Sequence, residues 1–194
     1  MSTYDTHYRE EHLFGEPYRE FVDFITTWPQ RGEALDLGCG QGRDALFLAS
    51  AGFRVTAIDV SQVGVTQMLA EAQQRGIDVN GIVADFYAVG IERNYDLILF
   101  NSILHFEKPD RDKELRLLTN AASHVKPNGL LCIFVHKSKY KETIIKQFFE
   151  AHYPFWEVIA DRYIDYTYEE KSSDFKSYMQ FHMYIVQHVM FSGA

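Results

Sequence analysis

Ala34-Leu35-Asp36-Leu37-Gly38-Cys39-Gly40-Gln41-Gly42-Arg43-Asp44 decides the fold. A short apolar run ends in three glycines at alternate positions. Ala45, Leu46, Leu48 and Ala49 then recur at helical spacing until Gly52 stops the helix. The next run, residues 53–58, ends at Asp59, so strand, glycine turn, helix and strand make one βαβ unit. Glycine accepts positive φ and lets a ligand approach the backbone, while the following helix presents free N–H groups in its first turn. That junction is where α/β sheets bind nucleotide-like ligands. A plain strand-to-helix bend would use the same glycines, so the surrounding residues carry the argument.

The alternation continues outward. A helix is predicted over 63–75, closed by Gly76; a strand over 79–84 leads to Asp85, and another over 95–100 leads to Asn101. A helix over 111–125 stops at Pro127-Asn128-Gly129, and residues 130–135 form an apolar strand of the kind buried on both faces. After a helix over 139–151, residues 156–168 and 177–189 are aromatic and β-rich, an antiparallel hairpin about a charged turn at 169–174. Met179, Phe181, Met183 and Ile185 alternate along its second strand as core. Tyr18, Phe21, Val22 and Ile25 place a leading helix over 17–28. The expectation is one domain over 1–194, with 1–30 as extension and helix and 31–194 as core.

Two acids stand at strand ends. Asp59 can accept from the paired hydroxyls of a ribose; it could instead cap a helix, but Ser61 is itself a good cap and leaves Asp59 free. Asp85 can accept from an adenine amine while Phe86 packs on the base, or the pair simply forms a turn.

Net charge of −8 opposes binding to a nucleic-acid backbone, and no run approaches the ~18 apolar residues of a membrane span. The polar start lacks the apolar stretch of a signal peptide. Cys39 and Cys132 are too few for a disulfide framework and lack metal-ligand spacing, which predicts a reducing, cytoplasmic setting and no metal site.

At these residues the sequence resembles the class I S-adenosylmethionine-dependent methyltransferases. Asp36 with Gly38, Gly40 and Gly42 matches the E/D-x-G-x-G-x-G motif, Asp59 the ribose-binding acid and Asp85 the adenine-binding acid, and Phe100-Asn101-Ser102-Ile103-Leu104-His105 looks like the fourth-strand motif. The stretch Gly38 to Asp44, with Leu46, Leu48, Ala49 and Gly52, looks most like the small-substrate branch of tellurite-resistance and thiopurine methyltransferases. The resemblance implies a Rossmann-like, doubly wound α/β sheet of seven strands, mostly parallel with a C-terminal antiparallel hairpin, in the order 3-2-1-4-5-7-6. It also implies S-adenosylmethionine as cofactor, S-adenosylhomocysteine as product and a small-molecule acceptor, with Cys39, Val60 and Asn101 joining the cofactor residues. The protein would act as a monomer or homodimer.

In such chemistry the cofactor carries the activated methyl group and the protein positions it. His105 is the best-placed general base, or else a rim histidine bonded to a neighbouring loop. Arg43 can attract an anionic acceptor or simply pair locally, and Tyr4, His7, Tyr8 and His12 can fold over the site, with Tyr8 nearest the acceptor. His136, Lys137, Lys139 and Lys141 read as a solvated edge. Three other readings stay open. Gly40-Gln41-Gly42-Arg43-Asp44-Ala45 also satisfies the G-x-G-x-x-A pattern of a nicotinamide-dependent oxidoreductase, and the fold can serve as a binding module without catalysis or methylate a protein.

Overall fold

A computed structural model describes residues 5, 8, 13, 15–169 and 176–189. The elements are α1 Arg19–Thr27, β1 Glu33–Leu37, α2 Arg43–Ser50, β2 Arg54–Asp59, α3 Gln62–Arg75, β3 Val79–Val83, α4 Phe86–Val89, β4 Tyr95–Asn101, α5 Arg111–Ser123, β5 Val125–His136, α6 Lys139–His152, β6 Glu157–Glu169 and β7 Lys176–Gln187. All seven strands join one sheet, ordered β3-β2-β1-β4-β5-β7-β6. The pairs from β3 through β5 are parallel, and β7 runs antiparallel to both β5 and β6. This is the expected order, with the hairpin's second strand inserted between β5 and β6.

The apolar runs of β4 and β5 are continuous because both faces of the sheet centre are covered. Leu97 and Leu99 point into a core formed with Phe21 and Ile25 of α1, Leu48 of α2 and Met68 of α3. Ile98 and Phe100 point into a second core with Leu118 of α5 and Ile145 and Phe149 of α6. Complete burial of one such side chain contributes about 1.5–3 kcal/mol. Phe181, Met183 and Ile185 of β7 are buried in the first core, with Met179 packed against it.

The Pro127-Asn128-Gly129 turn does not precede the fifth strand; it lies within it. Tyr95 pairs with Val125 and Leu97 with Leu130, so residues 126–129 bulge opposite Asp96 alone. Asn128 takes φ of 63°, a left-handed conformation that asparagine tolerates. Its N–H donates to the His188 carbonyl at 2.7 Å. The Asp96 carboxylate pins the region by accepting from the Glu33 N–H at 2.7 Å and Lys126 Nζ at 2.8 Å. The preceding helix therefore stops at Ser123 instead of residue 125. Among the described residues no helix is long and apolar enough to cross a membrane.

Candidate active site

The glycine loop joins β1 to α2. Its first amides are spent on β2: Gly38 and Cys39 both donate to the Ile58 carbonyl, at 2.8 and 3.1 Å. Gly42 caps α2 in the left-handed conformation (φ 84°), and a Cβ there would overlap Met68 of α3. Gly40 faces Gly64, one turn into α3; a Cβ on Gly64 would stand 2.6 Å from the Gly40 carbonyl oxygen. Loop and helix thus touch backbone to backbone.

Ser61 caps α3 as expected, accepting from the Gly64 N–H at 3.1 Å, but Asp59 is not left free. Its two oxygens accept from Gly40 N and Ser61 N, each at 2.8 Å. The correction follows from chain direction: β2 ends where the loop's amides converge, and a buried carboxylate must be satisfied there. One lone pair on each oxygen remains. Asp5 from the N-terminal segment accepts from the Ser61 hydroxyl at 2.6 Å, and Gln67 Nε2 donates to the Tyr8 carbonyl at 2.9 Å. Tyr8 is buried, its hydroxyl 2.8 Å from where a Gly40 Cβ would stand. Tyr4, His7 and His12 lie outside the described residues.

A cavity of about 1010 Å³ opens along the carboxyl ends of the parallel strands. Asp36, Gly38, Cys39, Gly40, Asp59 and Val60 line one part of it. Asp85 and Phe86 line the wall beyond, as do Asn101, which ends β4, and His105 in the loop after it. Gly42 is absent from the wall; its part is to turn the chain into α2. Asp85 is exposed and caps the short α4 by accepting from the Tyr87 N–H at 2.9 Å.

Arg43 lines the cavity but is internally engaged. Its Nη2 lies 2.9 Å from Asp44 Oδ2, and its guanidinium sits 4.6 Å from the Tyr18 ring centroid. Burial opposes its charge, yet the Asp44 carboxylate more than restores it. Burial also pushes the Tyr18 hydroxyl up to about 12, against the pull of Arg43. Asn101 Nδ2 donates to the same Asp44 oxygen at 2.8 Å, while Asn101 Oδ1 accepts from Ser102 at 3.0 Å. Asp44 therefore ties the tip of β4 to the first turn of α2. Asp36, nearly inaccessible, has its midpoint raised well above the carboxylate range, by burial first and then by Asp44.

His105 is exposed in the cavity, and so is His136, which the sequence places on a solvated edge. His136 ends β5 directly opposite Phe181 of β7, and its ring lies 4.4 Å from that phenyl ring. The antiparallel insertion of β7 is what turns this edge into a wall. Asp44, Gly64, Glu114 and His136 are the site residues that sequence reasoning missed. Only Gly64 carried a signal, a glycine inside a helical pattern marking close backbone approach. Among the described residues no cluster of three or more His, Cys, Asp or Glu could hold a metal ion.

Similar proteins fit this geometry. A ubiquinone biosynthesis O-methyltransferase of Rickettsia conorii is 32% identical over 102 residues, covering 52% of this chain and 34% of that protein. The chain spans roughly a third to two fifths of the length of such curated relatives. The structure of TehB from Haemophilus influenzae superposes with a TM-score of 0.70 at 20% identity, over 87% of this chain and 62% of that one. The N-methyltransferase NodS from Bradyrhizobium japonicum WM9, in complex with S-adenosyl-l-homocysteine, gives 0.72 at 14% identity over 96% of both chains. Residues 5–154 match the family of tellurite resistance protein TehB, and with the sheet order and the glycine loop already in place, the chain belongs to that family, within the class I S-adenosylmethionine-dependent methyltransferases.

Proposed function

We propose that the protein transfers the methyl group of S-adenosylmethionine to a small-molecule acceptor by in-line displacement. One observation carries the reading: the glycine loop and the strand-end acids Asp59 and Asp85 line a single cavity at the carboxyl edge of the parallel sheet. The residues fit an adenosyl ligand. Asp59 keeps a lone pair on each oxygen for the ribose hydroxyls, Asp85 offers an exposed carboxylate to the adenine amine, and Phe86 is half-buried beside it. The methyltransferase names of the relatives and the product-bound NodS fold support the same cofactor.

When bound, the cofactor supplies a methyl carbon activated by its sulfonium, so the leaving group needs no proton. The chain's own work is placement. Asp36 and Asn101 would hold the cofactor's amino-acid end, and His105 is the base available to an acceptor that must lose a proton. Arg43, already paired with Asp44, fixes the cavity wall and offers an anionic acceptor only a shared charge. Tyr8 covers the loop. A small acceptor fits a cavity of this size, and a net charge of −8 favours neither nucleic acid nor an anionic surface. The expected setting is cytoplasmic, as a monomer or homodimer.

Calorimetric titration with S-adenosylhomocysteine and NADH tests the reading. Micromolar binding of the adenosyl ligand and none of NADH is the expected result. Binding of NADH alone would transfer the site to an oxidoreductase, and binding of neither to folded protein would remove the cofactor assignment.

A further inference from the structure

The loop from β4 to α5 passes through two left-handed residues that are not glycine, Ser102 (φ 62°) and Phe106 (φ 53°). Such backbone persists only where surrounding contacts hold it. Glu114, in the first turn of α5 and 2% exposed, accepts the His105 N–H at 3.1 and 3.2 Å and the Phe106 N–H at 2.5 Å. Tyr140 of α6 donates its hydroxyl to the Phe106 carbonyl at 3.2 Å. Among the described residues no cation pairs with Glu114, so its buried carboxyl group is met by backbone amides.

What this grip places is His105. His136 ends β5, the parallel neighbour of β4, and His105 lies in the loop that follows β4; both line the same cavity. Among the described residues neither imidazole has a hydrogen-bond partner. His124, His182 and His188 instead each engage a ring nitrogen, on Asn120, Asp161 and the Val125 carbonyl. The groups facing His136 are Phe181 from β7, Lys141 from α6 and His105 itself. Partial burial, then Lys141 and His105, hold His136 below the ordinary histidine value, which favours the neutral ring that can take a proton.

We propose that Glu114 is the positioning residue of the acceptor side: by gripping the backbone of His105 and Phe106 it fixes His105 in the cavity wall that His136 also lines, and the two imidazoles are the proton acceptors of that wall. The inference rests on methyl transfer occurring in this cavity. The acceptor heteroatom bonds to the methyl carbon as the carbon–sulfur bond breaks; the sulfur keeps the bonding pair and becomes a thioether. The acceptor's proton passes to an imidazole and then to water.

The test follows histidine ring signals by NMR across pH, together with amide hydrogen exchange and S-adenosylhomocysteine calorimetry. It uses wild type, Glu114→Ala, Glu114→Gln and His105→Gln. His105→Gln is expected to raise the His136 midpoint by removing one of the groups that hold it down. Both Glu114 variants are expected to raise it as well, and to speed exchange at Phe106 on the order of tenfold. Both rings must still titrate in the ligand-bound protein. An unmoved His136 midpoint in His105→Gln, or rings silenced by the ligand, overturns the pair. Unchanged Phe106 exchange in the Glu114 variants overturns the grip, and Glu114→Gln decides if Glu114→Ala does not fold. Failure of wild type to bind the ligand sinks the cofactor assignment instead, and the ring and exchange data still report on the grip.

Discussion

The Asp59 carboxylate accepts the backbone N–H of Gly40 at 2.8 Å, joining the acid at the tip of β2 to the middle glycine of the loop after β1. Its other oxygen accepts from Ser61, so one side chain shapes the loop and offers its remaining lone pairs to the cavity. Asp59→Ala removes both roles. Two buried donors are left unsatisfied, for a stability loss of about 2 kcal/mol by urea denaturation. S-adenosylhomocysteine affinity should fall at least ~tenfold by calorimetry, or about 1.4 kcal/mol. Unchanged affinity would detach Asp59 from the ligand.

Gly64→Ala pits two effects against each other. Alanine gains about 1 kcal/mol of helix propensity over glycine. The new Cβ, however, would stand 2.6 Å from the Gly40 carbonyl oxygen and 2.9 Å from its carbon, backbone that cannot rotate away. Overpacking of this kind costs about 1–3 kcal/mol. The expected outcome is a lower melting temperature together with weaker ligand binding; a more stable protein with intact binding would show that α3 can recede from the loop.

Asp36 sets a pH dependence. Burial and Asp44 raise its midpoint well above 3.8 in the folded state, so above that pH the folded protein keeps a proton that the unfolded chain has lost. Stability from this group is complete below pH 3.8 and declines as pH rises toward the folded midpoint, at no more than about 1.4 kcal/mol per pH unit. Asp36→Asn should cancel that decline. Denaturation of the ligand-free proteins from pH 4 to 8 should show the variant gaining on wild type as pH rises. Parallel curves would mean that Asp36 titrates normally.

Both thiols should be inert in the native state. Burial pushes the Cys39 thiol up, with Asp36 and Asp59 adding to it, and burial alone raises Cys132. Since the thiolate is the reactive form, iodoacetamide at pH 8 should leave the folded protein unmodified and alkylate both cysteines in urea, as read by mass spectrometry. Alkylation of Cys39 in the folded protein would show that the loop opens.

The architecture was legible because its determinants are local and periodic. Alternating apolar runs marked all seven strands, Gly76 and Ser61 marked the ends of α3, and the spacing of Gly38, Gly40 and Gly42 marked the turn from β1 into α2. What escaped depends on meetings through space. Nothing near Glu114 in the chain announces the amides of His105 and Phe106, and the charged run after His136 reads as surface until β7 places Phe181 against that ring. The Pro127-Asn128-Gly129 stretch read as a stop because proline and glycine usually interrupt strands; here Asp96 and His188 hold it as a bulge inside one. The four-residue α4 is too short to leave a period.

Strand β7 follows both of its neighbours in the sequence, yet it fills the gap between them. During vectorial synthesis β5 and β6 therefore emerge with no partner for one another, and β5 presents the bare edge of six fully buried residues, 130–135, until β7 arrives. A nascent chain that has completed the cofactor half of its sheet still carries a sticky seam, so the window for misassembly stays open until the closing strand is made.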